Sequence, residues 1–395
     1  MAYSIGLDLG TGATKAVLWD GNKIVKSSSL EIDFLRDGEK VSIESFSWLE
    51  KSLQQIKDLA SYADAFIEAV AMCAASGNTL VSDEKGTPLC NIISWLDGRK
   101  IEVSPVENLH EIIGWPWVKG FPYTHIKELQ KEFPEIFTSS CHVGMNNDLL
   151  QYHLCGKWAL DHSSATPFYL QDQRCFSYYK PLLADLALKE ENLSPLVPSC
   201  TVIGNLKKEM IGGFLTENTK VVAGSFDHPS AARACDIVNE GEMLISCGTS
   251  WVGFAPVKER TILPGYLSDP FMIHEGGCWG LIRSWSKVGL ELEEWIVTHY
   301  GKEKDRYQKF NDDALCGEKN AKEKMLETCR TFRERAFPDI KFSRIVLCGG
   351  PSESPAWKKY LAEVWEAEIE TSPFDKYTGA AGAAKMALKG VKNHA

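Results

Sequence analysis

The stretch Asp8-Leu9-Gly10-Thr11-Gly12-Ala13-Thr14-Lys15 lies between two short segments that have the pattern of β-strands. Ile5 and Leu7 alternate with smaller or polar residues before it, residues 15–19 continue the pattern after it, and Asp20-Gly21 predicts a hairpin turn. A Gly-rich turn with a hydroxyl, a lysine and a neighbouring carboxylate can bind a polyphosphate, because its backbone N–H groups converge on phosphate oxygens. The stretch does not match G-x-x-x-x-G-K-[ST], which excludes a P-loop. An ordinary hairpin turn remains the alternative.

The composition is that of an ordinary globular protein. At 395 residues the chain is long enough for two domains, with 44% hydrophobic and 24% charged residues. Its net charge of −10 disfavours nucleic acid or an anionic membrane surface as a partner, since neither is attracted to a negative protein. The 12 cysteines form no C-x-x-C pair, and no signal sequence or long apolar span is visible. We therefore expect a cytoplasmic protein without bound membrane or nucleic acid.

Segments with strand and helix patterns alternate along the chain, which predicts the α/β class. A helix over residues 46–60 precedes a strand over 66–72. In the second half we expect strands at 220–224, 243–246 and 344–348, and helices at 289–299, 321–337 and 379–388. The domain boundary is expected between residues 223 and 245, which divides the chain into residues 1–238 and 239–395.

Asp227 follows directly after a short buried strand, in the sequence Gly224-Ser225-Phe226-Asp227-His228-Pro229. A carboxylate at this position can cap the helix that begins there. It can also act as a general base that takes a proton from a substrate hydroxyl as that oxygen attacks phosphorus. His228 could polarise the same hydroxyl or be purely structural. The residues alone leave these alternatives open.

Two further glycine turns follow predicted strands. Cys247-Gly248-Thr249-Ser250 is a second Gly turn that carries hydroxyls. Gly349-Gly350-Pro351-Ser352 precedes a helix, whose N-terminal amides can contact a nucleotide. Each turn alone is as well explained by ordinary turn chemistry.

Taken in order, these motifs resemble those of the FGGY carbohydrate kinases, and of xylulokinase-like members most closely. The similar segments, which extend over most of the chain, are Asp8-Leu9-Gly10-Thr11, the Trp95-Leu96-Asp97-Gly98-Arg99 run, residues 220–232, residues 247–250, residues 346–357 and the small-residue helix at 379–388.

The resemblance implies an α/β fold of two RNase H-like domains, as in actin-like ATPases and sugar kinases, flanking an interdomain cleft. It implies ATP, Mg²⁺ and a sugar or polyol as ligands, with Asp227 as the base that activates the hydroxyl of a ketose such as a pentulose or hexulose. Asp8 is implied to orient Mg²⁺ through water. The implied ATP-binding residues are Asp8, Gly10, Thr11, Lys15, Gly248, Thr249, Gly349, Gly350 and Ser352. The implied acceptor-binding residues are Asn78, Trp95, Asp97, Arg99 and His228.

Two features depart from the family pattern. Residues 74–78 are Ala-Ala-Ser-Gly-Asn, where xylulokinases have Gly-Gln-Met-His-Gly with a sugar-binding His. The side chain of Asn78 can donate and accept hydrogen bonds, but it cannot carry a charge. The second half is shorter than usual, and the polar run at 302–313 is interpreted as a solvated helix face or loop. The identity of the acceptor and the formation of a homodimer stay open. A catalytically silent binding module and a phosphate-ester or anhydride hydrolase of the same fold are the alternative functions.

Overall fold

The computed structural model describes residues 2–75, 77–99, 106–117 and 121–394. The strands of the first part of the chain are β1 (Tyr3–Leu9), β2 (Ala13–Trp19), β3 (Ile24–Glu31), β4 (Phe34–Asp37), β5 (Lys40–Ile43), β6 (Ile67–Ala74), β7 (Leu80–Ser82), β8 (Ile92–Ile93), β9 (His142–Gly144), β10 (Leu160–Asp161), β11 (Gln171–Asp172), β12 (Ser177–Tyr178), β13 (Leu196–Val197), β14 (Val202–Asn205) and β15 (Lys220–Phe226). Those of the second part are β16 (Glu242–Cys247), β17 (Trp251–Val257), β18 (Leu267–Asp269), β19 (Trp279–Trp285), β20 (Arg344–Gly349) and β21 (Glu368–Thr371).

The helices flank and separate these strands. They are α1 (Ser45–Ala60), α2 (Leu109–Ile113), α3 (Pro122–Glu132), α4 (Asn146–Cys155), α5 (His162–Ala165), α6 (Lys180–Asp185), α7 (Asp227–Ala234), α8 (Val288–Tyr300), α9 (Arg306–Cys316), α10 (Lys319–Ala336), α11 (Pro355–Trp365) and α12 (Thr378–His394). The helices and strands expected in the second half are confirmed, with ends that shift by a few residues. None of the described helices is both long and apolar enough to cross a bilayer.

Two six-stranded sheets carry the architecture, and their central strands follow the same plan. The first has the order β14-β15-β6-β1-β2-β3 and the second the order β18-β19-β17-β16-β20-β21. The first sheet has three antiparallel strands, β1, β2 and β3, and the second has four, β16, β17, β19 and β18. Parallel strands extend both sheets: β6 and then β15 beyond β1, and β20 and then β21 beyond β16. The edge strand β14 pairs antiparallel with β15. The chain therefore contains the same α/β unit twice.

The repeat places the first two glycine turns at equivalent positions. Residues 10–12 connect β1 to β2, and residues 248–250 connect β16 to β17. The Asp20-Gly21 turn between β2 and β3 is also confirmed, because the backbone N–H of Asp20 donates to Lys23 O over 3.2 Å. The side-chain Oδ1 of Asp20 accepts hydrogen bonds from the backbone N–H groups of Asn22 and Lys23.

The last helix, α12, returns to the first sheet, where it packs on β1, β6, β15 and α7. Its small residues permit a close approach: a Cβ on Gly382 would lie 1.9 Å from Ser230 O, and one on Gly6 would lie 2.0 Å from Ala380 O. The expected division into residues 1–238 and 239–395 stays a prediction, and the packing of α12 crosses it.

The buried apolar side chains form three large clusters. One covers the face of the first sheet beneath α1 and α4, and another fills the second unit around α8–α11. The third joins the two units, because it contains Phe226 at the end of β15, Ala381 of α12 and Leu244, Phe254 and Val346 of the second sheet. Residues of β15, β16 and β20 therefore pack in one common cluster between the two sheets.

Candidate functional site

The first hairpin places a carboxylate and an ammonium group side by side. Asp8 pairs with Lys15 across β1 and β2, and with Cys73 of β6 on its other side. The Asp8 side chain is buried. It lies against the first turn of α12, where a Cβ on Gly379 would be 2.9 Å from its Oδ2. The partial positive charge of a helix N-terminus favours a carboxylate at this position.

Asp227 begins α7, directly after a bulge in β15. The register between β15 and β6 shifts between Val222 and Ser225, and Gly224 makes the shift possible, because a Cβ there would lie 1.8 Å from Met72 O. Asp227 does not cap the helix: the N-cap residue is Phe226, and Asp227 Oδ1 accepts the N–H of His228 over 2.7 Å. The Asp227 side chain keeps 28% of its surface exposed, so it is accessible from the cleft.

Asp8, Lys15 and Asp227 influence one another electrostatically. Burial raises the pKa of Asp8 to about 6, Lys15 opposes this shift and the negative charge of Asp227 adds to it. Burial also raises the pKa of Asp227, against the effects of His228 and Lys15. Lys15 and Asp227 act on Cys348 of β20 as well. Asp227 and Lys15 therefore lie near the end of a second-sheet strand, and Lys15 also acts on Asp8.

The second hairpin is held by close backbone contacts. Cys247 pairs with Gly349 across β16 and β20. Gly349 has φ +92°, and a Cβ there would lie 2.3 Å from Cys247 O. The N–H of Gly289, at the start of α8, donates to Thr249 O over 3.0 Å. These contacts fix the Gly248-Thr249 turn beside Gly350, which faces open space, because a Cβ added to it would meet no atom within 4 Å.

A cavity of about 790 Å³ adjoins this second hairpin. Gly248, Thr249 and Gly350 form one end, and α8, α9 and α11 supply the walls. Its volume is in the range of sites for small organic ligands and cofactors. Ser352 is not part of its lining: its hydroxyl donates to Gly349 O over 2.6 Å within the turn. In this structure Ser352 helps to hold the glycine turn, and the expectation that it binds nucleotide stays a prediction.

Helix α9 contributes to the cavity, which the sequence did not predict. The polar run at 302–313, interpreted as a solvated helix face or loop, is mostly exposed, but Phe310 on the opposite side of α9 is buried in the second core cluster. Gln308, Asn311 and Asp312 reach the cavity from the same helix. Tyr307 also lines the cavity and remains 46% exposed. The signal available in the sequence was the spacing of Phe310 and Ala314, one helical turn apart.

Trp95, which the resemblance implies to be an acceptor-binding residue, connects two of the predicted motifs. Its indole Nε1–H donates to Thr11 Oγ1 over 2.9 Å, and its backbone N–H donates to Asn78 Oδ1 over 3.2 Å. Gly77 has φ +78°, and a Cβ there would lie 2.8 Å from the Phe121 ring. Ser76, which precedes it in the altered motif, lies outside the described residues.

Asp97 and Arg99 belong to an ion-pair network, and the expectation that they bind a sugar stays a prediction. Asp97 is buried; its Oδ2 accepts the N–H of Val41 over 2.8 Å, and its Oδ1 accepts Arg99 Nε over 2.9 Å. Arg99 also contacts Glu128 and Glu132 over 2.8 and 3.1 Å. Protein donors occupy both oxygens of Asp97, so its role in this structure is to fix the segment that follows Trp95.

Comparison with known protein families assigns the chain to one of them. Residues 3–233 match the N-terminal domain of the FGGY family of carbohydrate kinases. The chain belongs to this family. The resemblance of the motifs to the FGGY pattern is thereby confirmed.

Among curated FGGY-type relatives, the xylulose kinase of Lactococcus lactis subsp. lactis (strain IL1403) is 28% identical over 265 residues, which cover 64% of this chain and 53% of that protein. The gluconokinase of Bacillus licheniformis is 24% identical over 63% of this chain and 51% of that protein. The chain thus spans about half the length of the curated relatives that it matches, in agreement with the expected short second half.

Solved structures of sugar kinases share the whole fold. The ligand-bound xylulose kinase from Lactobacillus acidophilus superposes with a TM-score of 0.86 at 18% identity, covering 100% of this chain and 90% of that one. The Plasmodium falciparum glycerol kinase with ADP gives a TM-score of 0.85 at 16% identity, with 100% and 90% coverage. These similarities confirm the α/β fold of two RNase H-like domains around a cleft.

Sequence reasoning missed an aromatic cluster beside Asp227. The Trp115 ring contacts those of Phe121, Tyr169 and Phe226, with centroids 5.8, 6.2 and 5.6 Å apart. Since Phe121 also packs on Gly77, the cluster connects the altered 74–78 segment with the residue before Asp227. The available signal was the concentration of aromatic residues at 115–123.

Proposed function

We propose that the protein transfers the γ-phosphoryl group of ATP to a hydroxyl group of a sugar or polyol. The observation that carries this proposal is the placement of Asp8, Lys15 and the accessible Asp227 at neighbouring strand ends, in a fold with two equivalent Gly-Thr hairpins. The names of the relatives, xylulose kinase and gluconokinase, support a polyhydroxylated acceptor. Among acceptors we favour a ketose, a pentulose or hexulose.

In this proposal Asp227 is the general base. Its carboxylate takes the proton of the acceptor hydroxyl while that oxygen bonds to the γ-phosphorus, and the bond between the γ-phosphorus and the β,γ-bridging oxygen breaks to release ADP. Burial supports the role, since a raised pKa brings the carboxylate closer to the working pH and makes it a stronger base. The N–H of His228 holds Oδ1, which leaves Oδ2 for the acceptor.

Asp8 and Lys15 are the groups that we assign to the phosphate end of ATP. The described residues contain no group of three or more His, Cys, Asp or Glu able to hold a metal alone. This fits Mg²⁺, which typically binds through one or two carboxylates, water and substrate phosphates. Burial raises the pKa of Asp8 and the negative charge of Asp227 adds to this shift, so a bound cation would favour the ionised form that both effects oppose. Bound there, Mg²⁺ would balance the charge that develops on the phosphates.

We assign the cavity at the second hairpin to the adenosine half of ATP. Gly248, Thr249 and Gly350 line one part of it, and the two glycines leave room there because they carry no side chain. The apolar side chains of Leu292, Ile296 and Trp357 line the deeper part, which suits a flat heterocycle. Gln308 and Asn311 are carboxamides able to hydrogen-bond a base edge.

The test is a panel of pentuloses, hexuloses, linear polyols and aldonates supplied with Mg·ATP, with ADP release as the readout. We expect at least one acceptor to stimulate ADP release strongly above the acceptor-free rate. Equal ADP release with and without every acceptor would favour a hydrolase instead. ATP binding without turnover on any acceptor would favour a silent binding module. Either result would contradict the proposal.

A further inference from the structure

Trp95, a proposed acceptor-binding residue, contacts the turn of the first hairpin, which connects β1 to β2. Its indole Nε1–H donates to Thr11 Oγ1 over 2.9 Å, although the two residues are 84 positions apart. The backbone N–H of Trp95 donates to Asn78 Oδ1, which holds the residue from its other side. Asn78 itself is buried, and the Trp95 side chain is about one-third exposed at 36%. A short chain of contacts thus runs from the altered acceptor segment to the first Gly turn.

The direction of the Trp95–Thr11 hydrogen bond has a consequence for the hydroxyl. An indole N–H can only donate, whereas a threonine hydroxyl has one donor proton and two acceptor sites. The indole therefore occupies a lone pair of Thr11 Oγ1. The O–H of Thr11 is then turned away from the indole and left as the donor that the hairpin can offer to a phosphate oxygen.

We propose that Trp95 is a positioning residue for ATP, which it serves by orienting the hydroxyl of Thr11. This inference rests on the proposed function and adds to it, because the family resemblance implies only an acceptor contact for Trp95. It also connects the two substrates. An acceptor that shifts Trp95 changes the affinity for ATP, and by thermodynamic reciprocity ATP changes the affinity for that acceptor by the same factor.

The decisive variant is Trp95→Phe, which retains an aromatic ring and removes the N–H. Binding of the non-hydrolysable analogue Mg·AMP-PNP is measured by calorimetry in the absence of any acceptor. We expect Trp95→Phe to bind the analogue about three- to tenfold more weakly than the unmodified protein, the effect of one hydrogen bond. If Trp95 contacted only the acceptor, Trp95→Phe would leave the affinity for Mg·AMP-PNP unchanged and raise only KM for the acceptor.

A double-mutant cycle with Thr11 gives the second readout. In a Thr11→Ser background, which keeps the hydroxyl, Trp95→Phe should cause the same loss of affinity. In a Thr11→Val background, which lacks it, Trp95→Phe should cause no further loss. Equal effects in both backgrounds would show that Trp95 does not act through Thr11 and would overturn the inference. Thermal unfolding of each variant checks that the fold is retained.

The outcomes separate this inference from the proposed function. Failure of the unmodified protein to bind Mg·AMP-PNP would refute the ATP-dependent function itself. Tight binding by the unmodified protein and equally tight binding by Trp95→Phe would refute only the positioning role. The structure predicts that Trp95→Phe binds Mg·AMP-PNP more weakly than the unmodified protein. It also predicts that Trp95→Phe causes no further loss of affinity when Thr11→Val is already present.

Discussion

The carboxylate of Asp8 lies directly against Gly379 in the first turn of α12, where a Cβ would approach its Oδ2 to 2.9 Å. This contact joins the first residues of the chain to the last helix. It also means that the position of the carboxylate that we assign to Mg²⁺ depends on the absence of a side chain about 370 residues away in sequence.

Gly379→Ala should therefore change function more than stability. The added methyl group meets the end of the Asp8 side chain, which can rotate away, and alanine is itself favourable in a helix. We expect an unfolding temperature within a few degrees of the unmodified protein and a clear increase in the Mg²⁺ concentration needed for half-maximal activity. An unchanged Mg²⁺ dependence would contradict the role given to Asp8.

Gly382→Ala, one turn further along the same helix, should have the opposite profile. Its Cβ would lie 1.9 Å from Ser230 O, a backbone atom of α7 that cannot rotate away. Overpacking of this kind costs about 1–3 kcal/mol. Chemical denaturation should show this loss of stability. Gly212→Ala is the control: its Cβ would meet no atom within 4 Å, so its free energy of unfolding should be unchanged.

Asp269→Asn should alter the pH dependence of stability. Burial raises the pKa of Asp269 to about 7, so the folded protein holds this proton more tightly than the unfolded chain does. The stability that this carboxyl provides is present at low pH and is lost as the pH rises towards 7. The stability of the variant, relative to that of the unmodified protein, should therefore be greater at pH 8 than at pH 5. The expected change in the difference between their free energies of unfolding is on the order of 2 kcal/mol, at 1.36 kcal/mol per pKa unit.

Asp172→Asn is the matched control for this experiment. Hydrogen bonding to Arg174 holds the pKa of Asp172 below its ordinary value, so this carboxylate is ionised at both pH 5 and pH 8. Its replacement should change stability equally at the two pH values. A difference between pH 5 and pH 8 that is the same for both variants would contradict the assignment of the effect to Asp269.

Gly350→Val tests the assignment of the 790 Å³ cavity. A Cβ at this position would meet no protein atom within 4 Å, so we expect a normal unfolding temperature and binding of Mg·AMP-PNP weakened tenfold or more. Gly349→Ala should instead destabilise the fold, since Gly349 has φ +92° and its Cβ would lie 2.3 Å from Cys247 O. Normal affinity in Gly350→Val would exclude the cavity as the nucleotide site.

The sequence predicted the parts of the site that depend on local patterns. The glycine turns at 10–12 and 248–250 and the strand before Asp227 are encoded by alternating apolar residues and the glycines that end them. Asp97 shows the limit of such patterns: its motif indicated a sugar ligand, whereas Val41 and Arg99 occupy its oxygens. Those partners are fixed by tertiary packing, which a linear motif does not specify.

The cavity wall shows the same limit. Helix α9 is polar along most of its length, so its periodicity favoured a solvated position. The side of α9 that carries Gln308 and Asn311 faces the cavity because α8 and α11 pack around Phe310, and the sequence of α9 alone does not specify this packing. The return of α12 to the first sheet is likewise a long-range contact, which its small residues permit but do not specify.

The central claim is that Asp227 activates an acceptor hydroxyl for attack on ATP. The most direct measurement is ³¹P NMR of Mg·ATP with each stimulating acceptor, for the unmodified protein and for Asp227→Asn. We predict a phosphate monoester signal from the unmodified protein. Its rate of formation should fall about 10²- to 10⁴-fold in Asp227→Asn, with Mg·AMP-PNP affinity retained. Inorganic phosphate as the only product, or monoester formed equally fast by Asp227→Asn, would contradict the account.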